Sequence, residues 1–256
     1  MRSYRAFLKK EFTEQSRSGK LMFLGILFLL FGIMNPAVAK LTPWLLKTMA
    51  DELEASGMVI TEVTVTAMDS WVQFFKNMPM ALIAFVLIEN SIFTREYQTG
   101  TLLLSLTKGL PRYQVVLSKS AVLTILWTAG FWICFAITYG YNAYFWDNSV
   151  AQNLMLSVTN WWVFGLWIIT LAVLFSTVFS SGSGVLLGTG TAVLASWLLG
   201  LLPKLKEYVP TLLTNGNALI YGTADADSCT AALLICAALC ILCISISIPI
   251  FAKKKL

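Results

Sequence analysis

The chain contains no histidine. That excludes Ser-His-Asp triads, Cys-His proteases, His-ligated zinc hydrolases and haem held by a histidine. Charge is almost as scarce. Asp, Glu, Lys and Arg make up 12% of the 256 residues, about half the share in a soluble domain. So little charge cannot cover a water-soluble globule, which excludes an ordinary cytosolic enzyme and a disordered chain. Cysteine is limited to Cys134, Cys229, Cys236, Cys240 and Cys243. Four of these sit inside apolar runs and read as small hydrophobes, and Cys229 has no partner of similar exposure, so no disulfide scaffold is expected. A phosphate loop is also missing. Arg17-Ser18-Gly19-Lys20 lacks the upstream glycine and the Ser or Thr after lysine. What is abundant is apolar surface: 57% of residues are hydrophobic and mean hydropathy is +0.75. The expected fold is an all-α integral membrane protein in one domain, residues 1–256.

A helix needs about 20 apolar residues to cross the hydrocarbon core. Six runs qualify: Leu21–Ala39, Trp71–Phe93, Val115–Tyr139, Asn160–Phe179, Gly184–Leu202 and Thr230–Phe251. With the N-terminus inside, the inner segments hold 13 of the 18 basic residues, among them Arg2, Arg5, Lys9, Lys10, Arg17, Lys20, Arg95, Lys108, Arg112 and Lys119. The outer segments are acid-rich, with Asp51, Glu52, Glu54, Asp225 and Asp227 among their residues. This asymmetry predicts six transmembrane helices with both termini cytoplasmic. Residues 21–34 resemble the apolar core of a signal peptide, followed by Ala37-Val38-Ala39. The preceding segment is long and carries Glu11 and Glu14, so the first span is expected to be retained.

Residues 1–20 form a separate element. Tyr4, Phe7, Leu8 and Phe12 share one helical face, and Arg5, Lys9 and Lys10 occupy much of the rest. This pattern predicts an amphipathic helix in the inner interface; a solvated basic flank is the alternative. Two outer segments are too long for simple turns. Residues 40–70 contain Pro43-Trp44-Leu45-Leu46 and the acidic stretch Asp51 to Glu54, and part is expected to form an outer amphipathic helix. Residues 203–229 are expected to hold short elements resting at the outer interface. Trp44, Trp71, Trp146, Trp161 and Trp162 read as interface anchors.

The inner segment 95–113 is the most informative. Thr99 or Thr101 can cap a short helix beginning near Gly100. Leu102, Leu103 and Leu106 make an apolar ridge, and Gly109 with Pro111 ends it. Two readings fit. The ridge docks in the groove of a soluble partner, or the loop folds back on its own bundle.

Arg95-Glu96, Gly100-Thr101, Arg112 and Lys119 together resemble the R-E-x-x-x-G-T…R…K signature of ABC-2 type exporter permeases. Gly109 stands where that family often has proline, and Pro111 directly precedes Arg112. Lys10-Glu11-Phe12 with Arg17-Ser18 is similar to the opening of many such permeases. The resemblance implies a membrane subunit of a bacterial ABC exporter in the plasma membrane, with residues 1–20 as connecting helix. It assigns the ATPase-coupling role to Glu96, Gly100, Thr101, Leu102, Leu103, Leu106, Pro111 and Arg112. It implies cytoplasmic ABC ATPase subunits as partners, holding ATP and Mg, and a homodimer or a second related permease. No cofactor or metal is expected in this chain, no catalysis and no nucleic-acid partner; membrane lipid surrounds it.

Three further features complete the expectation. Gly184, Gly188, Ala192, Ser196 and Gly200 recur every four residues along the fifth span. Such a stripe lets helices approach closely, either within the subunit or at a dimer seam, and the family's first and fifth spans line the pathway between subunits. Glu89 and Asn90 lie inside the second span, where pairing of Glu89 with Arg95 or the N-terminal basics is favoured over proton coupling. Cys236, Cys240 and Cys243 share a face of the sixth span that reads as packing rather than as a site for a soft metal. Spans rich in Leu, Phe and Trp with few buried charges favour a lipophilic or amphipathic cargo: a membrane-active peptide, an antibiotic or a lipid. The alternative is a non-transporting sensor or immunity module that binds peptides at its outer loops.

Overall fold

Long apolar runs fold as helices because backbone groups removed from water must bond within their own segment. The computed structural model describes residues 2–48, 64–107 and 109–254, without the side chains of residues 2, 3, 104 and 105. Helix α1 is Arg2–Arg17 and α2 is Lys20–Thr48. Helices α3 (Ala67–Glu89) and α4 (Ser91–Thr99) make one span, because Asn90 between them keeps helical angles, φ −56° and ψ −24°. A short α5 (Thr101–Thr107) precedes the 34-residue α6 (Arg112–Phe145). Then come α7 (Leu154–Val178), α8 (Gly182–Leu199), the single turn α9 (Gly216–Ile220) and α10 (Thr230–Lys253). Among the described residues there are no strands, and six helical stretches are long and apolar enough to cross a membrane. The chain thus has the transmembrane character its composition demands.

The helices outrun the apolar runs at several ends. Helix α2 continues through Pro36 and Pro43 to Thr48, so Pro43-Trp44-Leu45-Leu46 extends the first span. The acidic stretch Asp51 to Glu54 lies outside the described residues. Pro36 supplies no N–H to the Gly32 carbonyl one turn earlier. The Thr138 hydroxyl of α6 donates to that carbonyl at 3.1 Å. Thr138 in turn accepts from Asn35 Nδ2 at 3.1 Å, and Asn35 Oδ1 accepts from Asn77 Nδ2 at 2.8 Å. This polar chain joins α2, α3 and α6 through buried side chains.

Helix α6 is the central post, packed against α1, α2, α3, α7 and α10. Helix α7 packs on α10 and α8, while α8 touches little else. Aromatic rings fill the middle: Trp71, Phe74, Phe131 and Phe135 meet edge-on or tilted at 5.6–6.4 Å, and Trp127 meets Phe28 and Phe85 at 5.9 and 5.6 Å. Two glycines permit this. A Cβ on Gly130 would lie 2.3 Å from the Phe28 ring, and one on Gly165 would lie 2.2 Å from the Trp127 ring.

Several anchors expected at the surface are inside. Trp71 and Trp161 are buried, their indole N–H groups donating to Asn148 Oδ1 at 3.1 Å and the Thr214 carbonyl at 3.0 Å. Trp44 remains exposed. In the segment 203–229, Leu213, Leu219 and Ile220 of its short elements are buried at one end of the bundle, while Leu205 and Tyr208 stay exposed. Apolar side chains with a choice between interface and core take the core when short turns can deliver them. The five cysteines are free.

Candidate functional site

Phe7, Glu11 and Gln15 recur every four residues and form the buried stripe of α1. The aromatic face seen in the sequence is there, but its centre is polar. Glu11 reaches the buried cation Lys119 on α6, and Gln15 the buried acid Glu89 on α3. Lys119, seven residues into α6, is 1% exposed; its ammonium donates to Glu11 Oε2 at 2.8 Å and the Ile92 carbonyl at 2.8 Å and pairs with Glu96 Oε2 at 2.9 Å. An unpaired lysine could not be held there, because a buried charge without partners is expelled or neutralised. The ring of Phe93 also faces this ammonium, 5.5 Å from its centroid.

Lys10 lies at the rim of the cluster. It bonds Glu11 Oε1 at 3.0 Å, Glu14 Oε2 at 2.8 Å and Glu96 Oε1. Burial works against its charge, but the bonds to Glu14 and Glu96 and the charge of Glu11 outweigh this and raise its pKa above the ordinary lysine value. Glu14 shows the converse. Burial favours its neutral form, yet the Lys10 bond and charge prevail and hold its carboxyl below the usual range. Carboxylate oxygens of Glu11, Glu14 and Glu96 lie within 4.8 Å of one another, a spacing compatible with a metal ion. The Lys10 ammonium bonds to all three acids, so an internal cation already compensates them.

Glu89 is 3% exposed and faces the same region. Its Oε2 accepts from Gln15 Nε2 at 2.6 Å and pairs with Lys20 Nζ at 3.5 Å. Of the two partners expected for it, the N-terminal segment is the one found; Arg95 is exposed and turned away. Seven residues nearly complete two helical turns, so Glu89 and Glu96 share a face, whereas Arg95 is offset from it. Asn90 caps the junction of α3 and α4 without a side-chain cap bond.

The segment 95–113 divides in two. Residues up to Thr99 belong to α4, so Glu96 is not on the short helix. It is 4% exposed, locked to Lys10 and Lys119 and unable to meet a partner. Gly100 at φ +68° and Gly109 at φ +86° bracket α5 in left-handed turns that only glycine adopts at little cost. Thr99 and Thr101 bond through their hydroxyls at 2.9 Å. The leucine ridge is split as well. Leu102 is 1% exposed and anchors α5 inward, Leu103 is 50% exposed, and Leu106 packs partly on the core. The helix folds onto its bundle through Leu102 and leaves Leu103 exposed. Lys108 lies outside the described residues. Pro111 is the N-cap of α6 in extended conformation. Arg112 is occupied internally. Its Nη1 donates to the carbonyls of Phe251, Ala252 and Lys254 at 3.1, 3.1 and 2.6 Å, closing the end of α10.

The stripe on α8 serves the subunit itself. A Cβ on Gly188 would lie 2.6 Å from the ring of Phe175 on α7, and one on Gly184 would lie 2.9 Å from Phe179. Ser196 is buried, and Ala192 and Gly200 are half-buried, a Cβ on Gly200 lying 3.2 Å from Val209. Gly184 and Gly188 thus permit close packing within the subunit. The face that α8 leaves open carries Leu187, Leu194 and Trp197 instead.

Sequence reasoning had marked Glu89, Glu96 and Lys119 but not Glu11 and Gln15 as their partners. The four-residue spacing from Phe7 was the available signal. The chain is 22% identical over 216 residues to the uncharacterized transmembrane protein YxlG of Bacillus subtilis (strain 168), across 82% of this chain and 81% of that protein. No model of a protein family and no solved structure matches the chain.

Proposed function

We propose that this chain is the membrane permease of an ATP-driven exporter, moving a lipophilic or amphipathic cargo outward on energy supplied by separate ATPase subunits. One observation carries the reading: an exposed apolar contact stands on a rigid mount. Leu103 projects from α5 beside a groove of about 260 Å³ lined by Tyr97, Gln98, Gly100 and Ser180. Behind it, Glu96 ties α4 to α1 and α6 through Lys10 and Lys119. A push on α5 then reaches two further helices instead of dissipating in a loop. The excess of basic residues in the segments flanking α1, α5 and the end of α10 supports cytoplasmic termini, with α1 as an interfacial connecting helix. ATP and Mg belong to the partner, and catalysis with them.

The membrane is the bacterial plasma membrane, in keeping with the Bacillus relative. The permease pairs with a second copy or a related chain, and the open α8 face with Leu187, Leu194 and Trp197 is the apolar surface available for that contact. Purification of the tagged chain from its native membrane tests the proposal. The expected result is a complex with an ATPase whose turnover rises with an amphipathic peptide. A chain that binds such a peptide yet copurifies with no ATPase is a sensor, and the exporter reading fails.

A further inference from the structure

The geometry points to a binding site for the headgroup of an anionic phospholipid, in a groove between α1 and α4. The groove has a volume of about 640 Å³ and is lined by Lys9, Lys10, Thr13, Glu14, Arg17 and Arg95, with Ala6 and Ser18 at its ends. Its charge is uneven in an informative way. Lys10 and Glu14 neutralise each other at 2.8 Å. Lys9, Arg17 and Arg95 are exposed and, among the described residues, make no ion pair. Three cations without an ion pair therefore face one concave surface, Arg95 near enough to Glu14 to help hold its carboxyl below the usual range. Arg95 comes from a different helix than the other two, so the cluster is a product of the fold and not of a basic run in sequence.

The neighbours of the groove distinguish a lipid from a free anion. It ends at Ser18, and α2 begins two residues later with Leu21, Met22, Phe23 and Ile26 all exposed. A phosphate held between Arg17 and Arg95 leaves acyl chains free to run along that apolar flank. Arginine suits the phosphate because its planar fork donates two parallel bonds. The hydroxyls of Thr13 and Ser18 are at hand for a polar headgroup. This site does not depend on the transport reading, since any membrane protein can bind its lipid.

The test uses the full-length chain purified in neutral detergent. Native mass spectrometry measures binding of dioctanoyl phosphatidylglycerol, dioctanoyl phosphatidylcholine and inorganic phosphate. Phosphatidylglycerol is expected to bind most tightly. Each Lys9→Gln, Arg17→Gln or Arg95→Gln change is expected to weaken it about fivefold, and the triple variant about a hundredfold. The outer-segment variant Lys204→Gln/Lys206→Gln is expected to bind as the parent does. Arg17→Lys/Arg95→Lys, which keeps the charges but loses the fork, is expected to bind more weakly than the parent and clearly more tightly than Arg17→Gln/Arg95→Gln, which separates lost charge from lost fold. Salt of about 0.5 M is expected to release the lipid from the parent chain. Equal binding of the two lipids, unchanged binding by the triple variant, or phosphate binding as tightly as phosphatidylglycerol would each overturn the assignment. So would loss of ATPase association in the triple variant with lipid retention unchanged, which would give the groove to a protein partner.

Discussion

Replacing Lys119 with methionine removes the one cation enclosed on all sides by the inner cluster. The loss includes contacts to Glu11 at 2.8 Å, Glu96 at 2.9 Å and the Ile92 carbonyl at 2.8 Å, at a site 1% exposed. Removing one partner of a buried ion pair costs about 3–5 kcal/mol, mostly because a charge is left without compensation. Here Lys10 still bonds both acids, so the lower end, about 3 kcal/mol, is expected. At roughly 2–4 °C per kcal/mol for a chain of this size, that lowers Tm by about 6–12 °C. Intrinsic fluorescence of the nine tryptophans reports unfolding in detergent. Adding Glu96→Gln removes one of the three carboxylates left facing Lys10 and so eases the surplus negative charge, leaving Glu11 and Glu14 with Lys10. The double variant is therefore expected to regain about 1.5 kcal/mol relative to the sum of the singles, within the range of measured couplings between contacting residues. A drop below about 2 °C for Lys119→Met, or strict additivity in the double variant, would refute the idea of a charge-balanced cluster.

Leu103→Asp is expected to abolish ATPase copurification with membrane insertion intact, whereas Leu102→Asp, at a buried position, is expected to lower the yield of folded protein by size-exclusion analysis. Gly165→Ala puts a methyl 2.2 Å from the Trp127 ring, and overpacking of this kind costs about 1–3 kcal/mol, visible as a lowered Tm. The pH dependence follows from the rim. Glu14, held below its ordinary value of 4.5, contributes stability that is present above that value and lost as pH falls through the folded value. Lys10, held above 10.5, contributes stability that is complete below that value and lost as pH rises through the folded one. Glu14→Gln is expected to lower Tm slightly at neutral pH, leave it little changed at low pH where Glu14 is already protonated, and so flatten the acid limb of a Tm-against-pH curve.

The six spans were legible because hydropathy is a collective signal: twenty apolar residues in a row leave few alternatives. Their ends were not. Helix α6 runs on through Tyr139-Gly140-Tyr141-Asn142-Ala143-Tyr144-Phe145, residues too polar to count as span but content in a helix beyond the hydrocarbon. The segment 1–20 reads as an interfacial helix with a solvated flank as the alternative, and neither shows its inward contacts, since a sequence does not reveal which side of a helix meets another. Glu11 and Gln15 were hidden for that reason, although they fall in line with Phe7. Glycines on α8 gave the correct geometry, close approach, but not the partner. Gly188 turned out to accommodate Phe175 of the neighbouring helix, a contact between α7 and α8 that spacing within one helix cannot encode.

The bonds from Arg112 to the carbonyls of Phe251, Ala252 and Lys254 fasten the middle of the polypeptide to its tail. During synthesis this stitch cannot close until α10 has been made. A product that stops short of α10 is left with a guanidinium at the foot of the central post and nothing for it to grip.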